Sequence, residues 1–239
     1  MNDRDPSSNE MSSELQQLAS PAPGLTIYRA HLEQTEDAMA TLGACLSAVE
    51  WQRANRFGTP LLRLRYVVGR ALLRRALGSA LGIAPRDVAI EAGRRGRPRV
   101  RGHDVDFNVT HTCATALIGI VQQGHVGIDI ESGDRRVNVE GIARKFMTAR
   151  ERPELAELAG EDDRRRALLR LWTCKEALSK ATGDALSAPF RKLEVAVGRV
   201  PRLLAGPAPY RPTDWQMFDV PLPDDYFASV GWWQTNALD

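Results

Sequence analysis

Three residues that could do chemistry follow one another at four-residue spacing: Trp172, Glu176 and Lys180. Apolar residues around them recur every three or four positions, which predicts a helix from Ala167 to Gly183. Residues four apart lie on one face of a helix, so an aromatic ring, an acid and a base would lie one above another. A Glu and a Lys at this spacing are also a common solvated ion pair, so these three residues alone do not define a site.

A second acidic group lies in the segment Val126 to Glu131, where apolar residues alternate with others and predict a strand. Asp129 and Glu131 share one face of that strand, with Cα atoms about 6.5 Å apart at the usual rise per residue. Two such carboxylates repel each other unless a cation lies between them, and their oxygens suit Mg²⁺. With Glu176 they would form half of the shell around a metal–pyrophosphate complex. An edge strand that exposes its acids to solvent would show the same alternation.

Other segments could supply contacts to an anion. The predicted strand Val105 to Thr110 ends at Thr110 and His111, where side chains can reach a ligand. The stretch Gly93 to Arg99 is rich in glycine and proline and predicts a loop that exposes arginines. The basic helical segment Glu50 to Leu81, broken by a proline, indicates either a solvated face or a platform for an anionic ligand.

The rest of the chain supplies the elements that must position these residues. Residues 1–24 are polar and predict a disordered tail. No internal repeat is visible in the sequence. The remaining predicted elements are strands at Leu25–Ala30, Ala114–Val121, Leu193–Val197, Asp214–Val220 and Tyr226–Trp233, and helical segments at Glu33–Ser47 and at Val139–Leu158 with an interruption at Thr148–Arg150.

Composition narrows the class of protein. The 239 residues are 43% hydrophobic, which is enough for a substantial core, and the formal net charge of +2 does not favour a nucleic-acid partner. No stretch resembles a membrane span or the apolar core of a signal peptide, so we expect a cytoplasmic protein without a membrane partner. The three cysteines lack metal-ligand spacing and are expected to be reduced packing residues: Cys45, Cys113 and Cys174.

Five short segments occur in a fixed order along the chain: Gly96–Pro98, Phe107–His111, Val126–Glu131, Phe146–Glu151 and Trp172–Lys180. Their order and spacing resemble the motif series of the Sfp-type 4'-phosphopantetheinyl transferases, over roughly Trp51 to Gly183. The resemblance implies transfer of the phosphopantetheine arm of coenzyme A to a serine of an apo acyl or peptidyl carrier protein. It also implies that Mg²⁺ is required and that adenosine 3',5'-bisphosphate is released.

The same resemblance implies the fold. It predicts an α+β protein in which two similar α/β subdomains of one chain form a pseudo-dimer, with coenzyme A between them. We place the subdomains at residues 25–122 and 123–239, after the tail of residues 1–24. A pseudo-dimer of this kind would make a monomer sufficient for activity.

For the chemical step, the resemblance implies that Asp129, Glu131 and Glu176 bind the metal and that Lys180 contacts the pyrophosphate. The metal would offset charge on the pyrophosphate, and Lys180 would stabilise charge on the bridging or leaving oxygens. A carboxylate must accept the serine proton, and Glu176 is committed to the metal. Our hypothesis is that Glu151 is this general base, directly or through water.

The resemblance also implies contacts with coenzyme A. The expected contact residues are Arg53, Arg65, Arg97, Thr110, His111 and Lys180. Two residues depart from the family pattern. Thr110 replaces the commoner serine but keeps the hydroxyl, and Glu50 falls near a position where some members carry a phosphate-binding lysine.

Two other functions use the same residues. A Mg²⁺-dependent phosphohydrolase acting on coenzyme A or a nucleotide would need the same acids and cations, with water as nucleophile. A nucleic-acid binder would use the arginines alone. For the transferase, fatty acid, polyketide and non-ribosomal peptide carriers all remain open. The exposed arginines and the apolar residues near Phe146 and Met147 are candidate docking groups.

Overall fold

The computed structural model of the protein describes residues 14–93, 96–223 and 225–234. The first part of the chain contains β1 (Leu15–Gln17), β2 (Leu25–His31), α1 (Glu36–Gly43), α2 (Ala48–Ala54), α3 (Pro60–Leu81), β3 (Ile90–Ala92), β4 (Pro98–Val100), β5 (Asp106–Thr112) and β6 (Thr115–Val121). The second part contains β7 (His125–Ser132), α4 (Val139–Phe146), α5 (Glu151–Ala156), α6 (Glu161–Thr182), β8 (Glu194–Val197), β9 (Pro201–Ala205), β10 (Trp215–Asp219) and β11 (Tyr226–Trp233). This mixture of helices and antiparallel strands confirms the predicted α+β class.

Two antiparallel sheets form the centre of the structure. One has the strand order β1-β2-β6-β5 and the other has the order β10-β11-β7. Apolar residues of β2 and β6 share one buried cluster with residues of β7 and β11, among them Ile27, Leu117, Ile128 and Val230. This cluster joins the two sheets, so their relative position is fixed by apolar packing.

Each sheet is accompanied by one long helix. Helix α3 starts at Pro60 after the N-cap Thr59, and its apolar face shares a core cluster with β2, β5 and β6. Helix α6 packs on β7 and β11. It ends at Thr182 and is followed by Gly183, whose positive φ of 76° is typical of the residue after a helix. Its first residue is Glu161, earlier than the sequence pattern predicts.

The structure corrects the prediction for part of the N-terminal tail. Leu15–Gln17 pairs antiparallel with β2, and Leu15 is buried. Leu18 also packs against the core and its amide donates to the Ile27 carbonyl, so a few contacts dock this segment although the composition around it is polar. Residues 1–13 of the predicted tail lie outside the described residues.

The predicted loop Gly93–Arg99 is also partly a strand, because Pro98 pairs with Ala92. Residues 94–95 lie outside the described residues.

Among the described residues, no helix combines the length and apolar character that a bilayer span needs.

Candidate active site

Helix α6 lies unusually close to strand β7. A Cβ atom at Gly127 would be 1.9 Å from the carbonyl oxygen of Ala177 and 2.6 Å from the amide nitrogen of Ala181. The neighbouring Gly231, which is the β11 partner of Gly127, is also close to the helix, with the Leu178 nitrogen 3.3 Å from the position of its Cβ. Glycine lets the two backbones approach, so polar residues of α6 come beside the acids of β7.

Asp129 is the most enclosed of the predicted metal ligands, with 5% of its surface exposed. Its Oδ1 accepts hydrogen bonds from Lys180 Nζ at 2.5 Å and from Thr110 Oγ1 at 3.1 Å. Its Oδ2 is buried and has no hydrogen-bond partner among the residues that the structure describes. Burial raises the pKa of Asp129, and the charge of Lys180 opposes that effect. A buried carboxylate oxygen without a partner is costly, so this atom requires an explanation.

Lys180 joins the acid to the neighbouring strands. Besides Asp129, its Nζ donates to Thr110 Oγ1 at 3.1 Å and to the Ile128 carbonyl oxygen at 3.2 Å. Thr110 was expected at the end of its strand, but it lies inside β5 and its hydroxyl bonds to Asp129 and Lys180. The hydroxyl therefore belongs to the carboxylate cluster in this structure.

The other two predicted metal ligands lie at the rim of this cluster. Glu131 is ion-paired with Arg135, and burial raises its pKa. Burial also raises the pKa of Glu176, with the negative charge of Asp129 as the next contribution. Across residues 14–93, 96–223 and 225–234, no three acidic, histidine or cysteine side chains converge closely enough to hold a metal. Asp129 and Glu131 each face a cation of the chain, Lys180 and Arg135 respectively.

Glu151, the hypothetical general base, is buried and fully engaged. It forms an ion pair with Lys175 Nζ at 2.6 Å, and its Oε1 accepts from the Val195 amide at 2.9 Å. Its Oε2 also accepts from the Thr148 amide at 2.8 Å. Only 1% of Glu151 is exposed. These contacts are those of a structural carboxylate, and they leave no exposed oxygen to receive a substrate proton.

Trp172 is part of the apolar core. Its ring centroid lies 4.8 Å from that of Phe146 and 5.5 Å from that of Phe190. Of these three residues at four-residue spacing, Trp172 is a packing residue. Glu176 and Lys180 are polar and lie near Asp129.

The residues expected to contact the nucleotide gather near α3 and β5. Arg65 and His111 line a cavity of about 640 Å³, together with Tyr66, Arg70 and Pro98. Arg65 is ion-paired with Glu33 there. The guanidinium of Arg53 lies 5.6 Å from the centroid of the Tyr66 ring, which borders this cavity. His111 is exposed, and it lies on the opposite face of β5 from Thr110.

Arg97 was expected to face a phosphate of coenzyme A, but in the structure it is bound to other parts of the chain. Its Nη1 donates to the carbonyl oxygen of Lys180, and its Nη2 donates to Asp106 Oδ2 at 2.5 Å and to the Val126 carbonyl at 2.7 Å. Asp106 and Asn108 were not singled out as functional in the sequence, although the alternation of β5 had placed them on the face of Thr110.

Glu50, the other departure from the family pattern, has a structural role. It accepts from Ser47 in a capping box at the start of α2. It also pairs with Arg70 and with Arg74, whose Nη2 lies 2.9 Å from Glu50 Oε2. An acid at this position is therefore explained by packing of α2 against α3. The sequence offered one signal for it, since Ser47 and Glu50 have capping-box spacing.

Of the cysteines, only Cys174 is fully buried as expected; Cys45 is partly buried and Cys113 is exposed. Burial raises the pKa of Cys174 to about 12. Cys113 has a positive φ of 50° in the turn between β5 and β6, where it borders the large cavity. The expectation of a packing role is therefore wrong for Cys113.

The chain is similar to known 4'-phosphopantetheinyl transferases. The 4'-phosphopantetheinyl transferase superfamily matches residues 125–230, which include Asp129, Glu131, Glu176 and Lys180. The chain is 34% identical over 205 residues to the 4'-phosphopantetheinyl transferase HetI of Nostoc sp., covering 83% of each chain. It is 27% identical over 153 residues to a 4'-phosphopantetheinyl transferase of Bacillus subtilis, covering 64% of this chain and 66% of the relative.

The chain therefore belongs to the 4'-phosphopantetheinyl transferase superfamily. Its enzyme class is that of the 4'-phosphopantetheinyl transferases, which transfer phosphopantetheine from coenzyme A to carrier proteins. The resemblance expected from the five sequence segments is confirmed.

Proposed function

We propose that this transferase requires Mg²⁺ and moves phosphopantetheine from coenzyme A to a carrier serine, releasing adenosine 3',5'-bisphosphate. The observation that carries the proposal is the buried, unpartnered Oδ2 of Asp129 beside Lys180. An oxygen in that state fits a cation ligand, because a metal would supply the missing partner.

The donor type suits a hard cation, although the three carboxylates do not converge in this structure and would have to close around the ion. Asp129, Glu131 and Glu176 would hold Mg²⁺ through carboxylate oxygens, which are the ligands that this ion prefers. When bound, the metal would offset negative charge on the pyrophosphate of coenzyme A. Arg135, which now pairs with Glu131, is the cation that would have to release that acid.

The chain's own residues account for the rest of the transfer. The serine oxygen attacks the β-phosphorus, the bond from that phosphorus to the bridging oxygen breaks, and the bridging oxygen leaves on adenosine 3',5'-bisphosphate. Lys180 Nζ, next to Asp129, is placed to stabilise charge on the leaving oxygen. Glu151 is buried and engaged, so the serine proton would pass to the carboxylate oxygen of Glu176 that does not bind the metal, since Glu176 is only partly buried.

We propose that the nucleotide of coenzyme A occupies the cavity of about 640 Å³ beside α3. Arg65, Arg70 and His111 would contact its phosphates there, with Arg53 at the margin. Arg65 would exchange its partner Glu33 for a phosphate. Lys180 and Thr110 lie on the other side of β5 and would contact the pyrophosphate.

The carrier protein would dock beside α4. The last turn of α4 carries Arg144 and Lys145, and the partly exposed Phe146 closes a small cavity of about 180 Å³ next to Arg135. Leu186, at 71% exposure, borders the same cavity. A basic rim around apolar groups suits an acidic helical carrier. Met147 was a candidate docking residue, but it is completely buried and cannot contact a partner.

We also propose that the chain is a pseudo-dimer of subdomains at residues 25–122 and 123–239, active as a monomer. The support is that β2 to β6 and β7 to β11 contain the same kinds of element in the same order. A molecular mass measured by light scattering during turnover would test the monomer, since activity confined to a dimer fraction would contradict it.

The function is tested by intact-mass spectrometry of apo carrier proteins after incubation with the enzyme, coenzyme A and Mg²⁺. We expect a gain of one phosphopantetheine that is lost with EDTA and with Asp129→Ala. Consumption of coenzyme A without any gain on fatty acid, polyketide or peptide carriers would favour the phosphohydrolase instead.

A further inference from the structure

Strand β7 lies at the end of its sheet, so one of its backbone edges has no partner strand within the described part of the chain. Two side chains of β5 accept hydrogen bonds from that edge. Asp106 Oδ2 accepts from the Val126 amide at 2.7 Å, and Asn108 Oδ1 accepts from the Ile128 amide at 3.0 Å. Exposed strand edges need partners for their backbone groups, and here side chains of the other sheet supply them.

The carbonyl groups of the same edge are bonded by two cations. Arg97 Nη2 donates to the Val126 oxygen at 2.7 Å, and Lys180 Nζ donates to the Ile128 oxygen at 3.2 Å. The strand segment that leads into Asp129 is therefore held by Asp106 and Arg97 as well as by Lys180. This segment determines where the Asp129 carboxylate lies.

Arg97 also holds the end of α6. Its Nη1 donates to the backbone oxygen of Lys180, three residues before the glycine that ends the helix. A cation is favourable at a helix C-terminus, where carbonyl groups have no partner within the helix. Asp106, whose carboxylate pairs with Arg97 Nη2 at 2.5 Å, keeps the guanidinium in place. Both side chains are largely buried, at 14% and 15% exposure.

We propose that Arg97 and Asp106 form a clamp that positions Lys180 and Asp129, and that Arg97 is not a phosphate ligand of coenzyme A. The clamp joins the loop before β4, the edge of β7 and the end of α6, so one guanidinium fixes both halves of the Lys180–Asp129 pair. A planar guanidinium with five N–H donors can serve these acceptors together, whereas an ammonium cannot match that geometry. This inference rests on the proposed roles of Lys180 and Asp129.

The two roles of Arg97 predict opposite kinetics for Arg97→Lys. A phosphate contact needs mainly a positive charge, so lysine would largely preserve it. A clamp needs the planar set of guanidinium donors, which lysine lacks. A misplaced reacting group can cost about a hundredfold in rate. For Arg97→Lys we expect kcat to fall at least about tenfold while KM for coenzyme A stays within about threefold. Normal kcat in this variant, with a raised KM for coenzyme A in Arg97→Ala, would overturn the clamp.

Arg99→Lys is the matched control. Arg99 lies on the same hairpin, is more exposed and pairs with Glu91 at 2.6 Å. We expect its kcat and KM to stay within about twofold of the wild type, as is usual for exposed charges. Asp106→Asn should lower kcat in the same direction as Arg97→Lys. The double variant should lose less than the product of the two single losses, because both changes break one contact; independent, multiplying losses would contradict a shared clamp.

A measurement without turnover separates failure of the clamp from failure of the proposed function. Hydrogen exchange of a peptide that spans residues 123–132 includes the Val126 and Ile128 amides. Arg97→Lys and Asp106→Asn should both accelerate exchange there, and Arg99→Lys should not. If the wild type transfers no phosphopantetheine but exchange accelerates, the clamp stands and the proposed function fails. Unchanged exchange in both variants overturns the clamp whatever the activity.

Discussion

The first half of the chain, from β2 to β6, and the second half, from β7 to β11, present the same kinds of element in the same order. Each half opens with a strand, continues through three helices and a short hairpin, and closes with two strands. The third helix of each half, α3 or α6, has 22 residues and is followed by a glycine with positive φ, Gly82 or Gly183. The two halves therefore have the same order of elements, and the acidic cluster of Asp129, Glu131 and Glu176 lies in the second half.

The halves also share a buried ion pair. In the first half Glu50 pairs with Arg74, which lies 24 residues later; in the second half Glu151 pairs with Lys175 at the same spacing. Both cations also donate to backbone oxygens, Arg74 to Val88 at 2.9 Å and Lys175 to Phe190 at 2.9 Å. Both acids also make reciprocal hydrogen bonds with the residue three before them, a serine or a threonine. Glu151 therefore belongs to a feature common to both halves.

The difference between the halves is the chemistry at the ends of the two helices. Lys180 lies three residues before Gly183 and contacts Asp129, whereas the residue three before Gly82 is the exposed Ser79. The second half also has Gly127, which lets α6 touch its strand. The shared ion pairs hold the scaffold, and the features particular to the second half form the site.

The largest effect should come from Lys180→Met. This change removes the cation that bonds Asp129 and that would stabilise the leaving oxygen. Loss of one such preorganised donor typically costs about a hundredfold to a thousandfold in kcat. Single-turnover transfer to an apo carrier measures it. Ser79→Met, at the corresponding place in α3, should leave kcat unchanged, and equal losses in the two variants would remove the functional distinction between the helices.

The next effect concerns the shared ion pairs and is mainly one of stability. Glu151→Gln and Glu50→Gln each leave a buried cation without its acid, which typically costs about 3–5 kcal/mol. Urea unfolding should show similar losses for the two variants. At temperatures where Glu151→Gln is folded, its kcat should remain within about tenfold of the wild type, because a structural role does not enter the chemical step. Abolished turnover in folded Glu151→Gln, with normal turnover in Glu50→Gln, would restore the general-base hypothesis.

The two buried cations also differ in whether they can lose a proton. Burial lowers the pKa of Lys175, and the charge of Glu151 opposes that shift. Without Glu151 the folded-state pKa of Lys175 should fall further below that of the unfolded chain, so the unfolded state binds more protons between those two values. Stability of Glu151→Gln should therefore rise with pH through that window. Glu50→Gln should show no such recovery in the same urea titrations, because arginine stays charged.

The sequence revealed the site residues more clearly than the similar element order of the two halves. Periodicity predicted most long elements, and the motifs located Asp129, Glu131, Glu176 and Lys180 in the second half. No repeat was visible in the sequence, and even the ion pairs at equal spacing differ in residue type, with Arg74 in the first half and Lys175 in the second. Short strands such as Pro201–Ala205 were missed because a few residues carry too little alternation.

Side-chain partners were the least predictable part. Arg97 occupies a motif position that suggested a phosphate contact, yet its acceptors come from residues 9 to 83 positions away. Such a set of partners depends on how two sheets meet, and local sequence carries no information about it. Glu151 raised the same difficulty, since its partners Lys175 and Val195 lie on other elements.

A smaller effect tests the close contact that is particular to the second half. Gly127→Ala would place a methyl group against the backbone oxygen of Ala177, so α6 must move. We expect a loss of about 1–3 kcal/mol in unfolding free energy and a fall in kcat, because Glu176 and Lys180 move with the helix. Gly231→Ala is the matched control, since its Cβ would lie 3.3 Å from the helix backbone. Equal stability losses for the two variants would argue that the Gly127 contact is not special.

The smallest effect concerns the first helix of each half. Helix α1 begins with Glu36 and Asp37, whereas α4 ends with Arg144 and Lys145. If the carrier docks beside α4, Arg144→Glu with Lys145→Glu should raise KM for an acidic carrier by about tenfold at low salt, while KM for coenzyme A stays constant. The difference from wild type should shrink as salt rises, because exposed charges are screened. Glu36→Lys on α1 should leave both constants unchanged. If Glu36→Lys changes the carrier KM and the α4 changes do not, the docking surface lies in the first half. The basic end of α4 would then be only a favourable charge at a helix C-terminus.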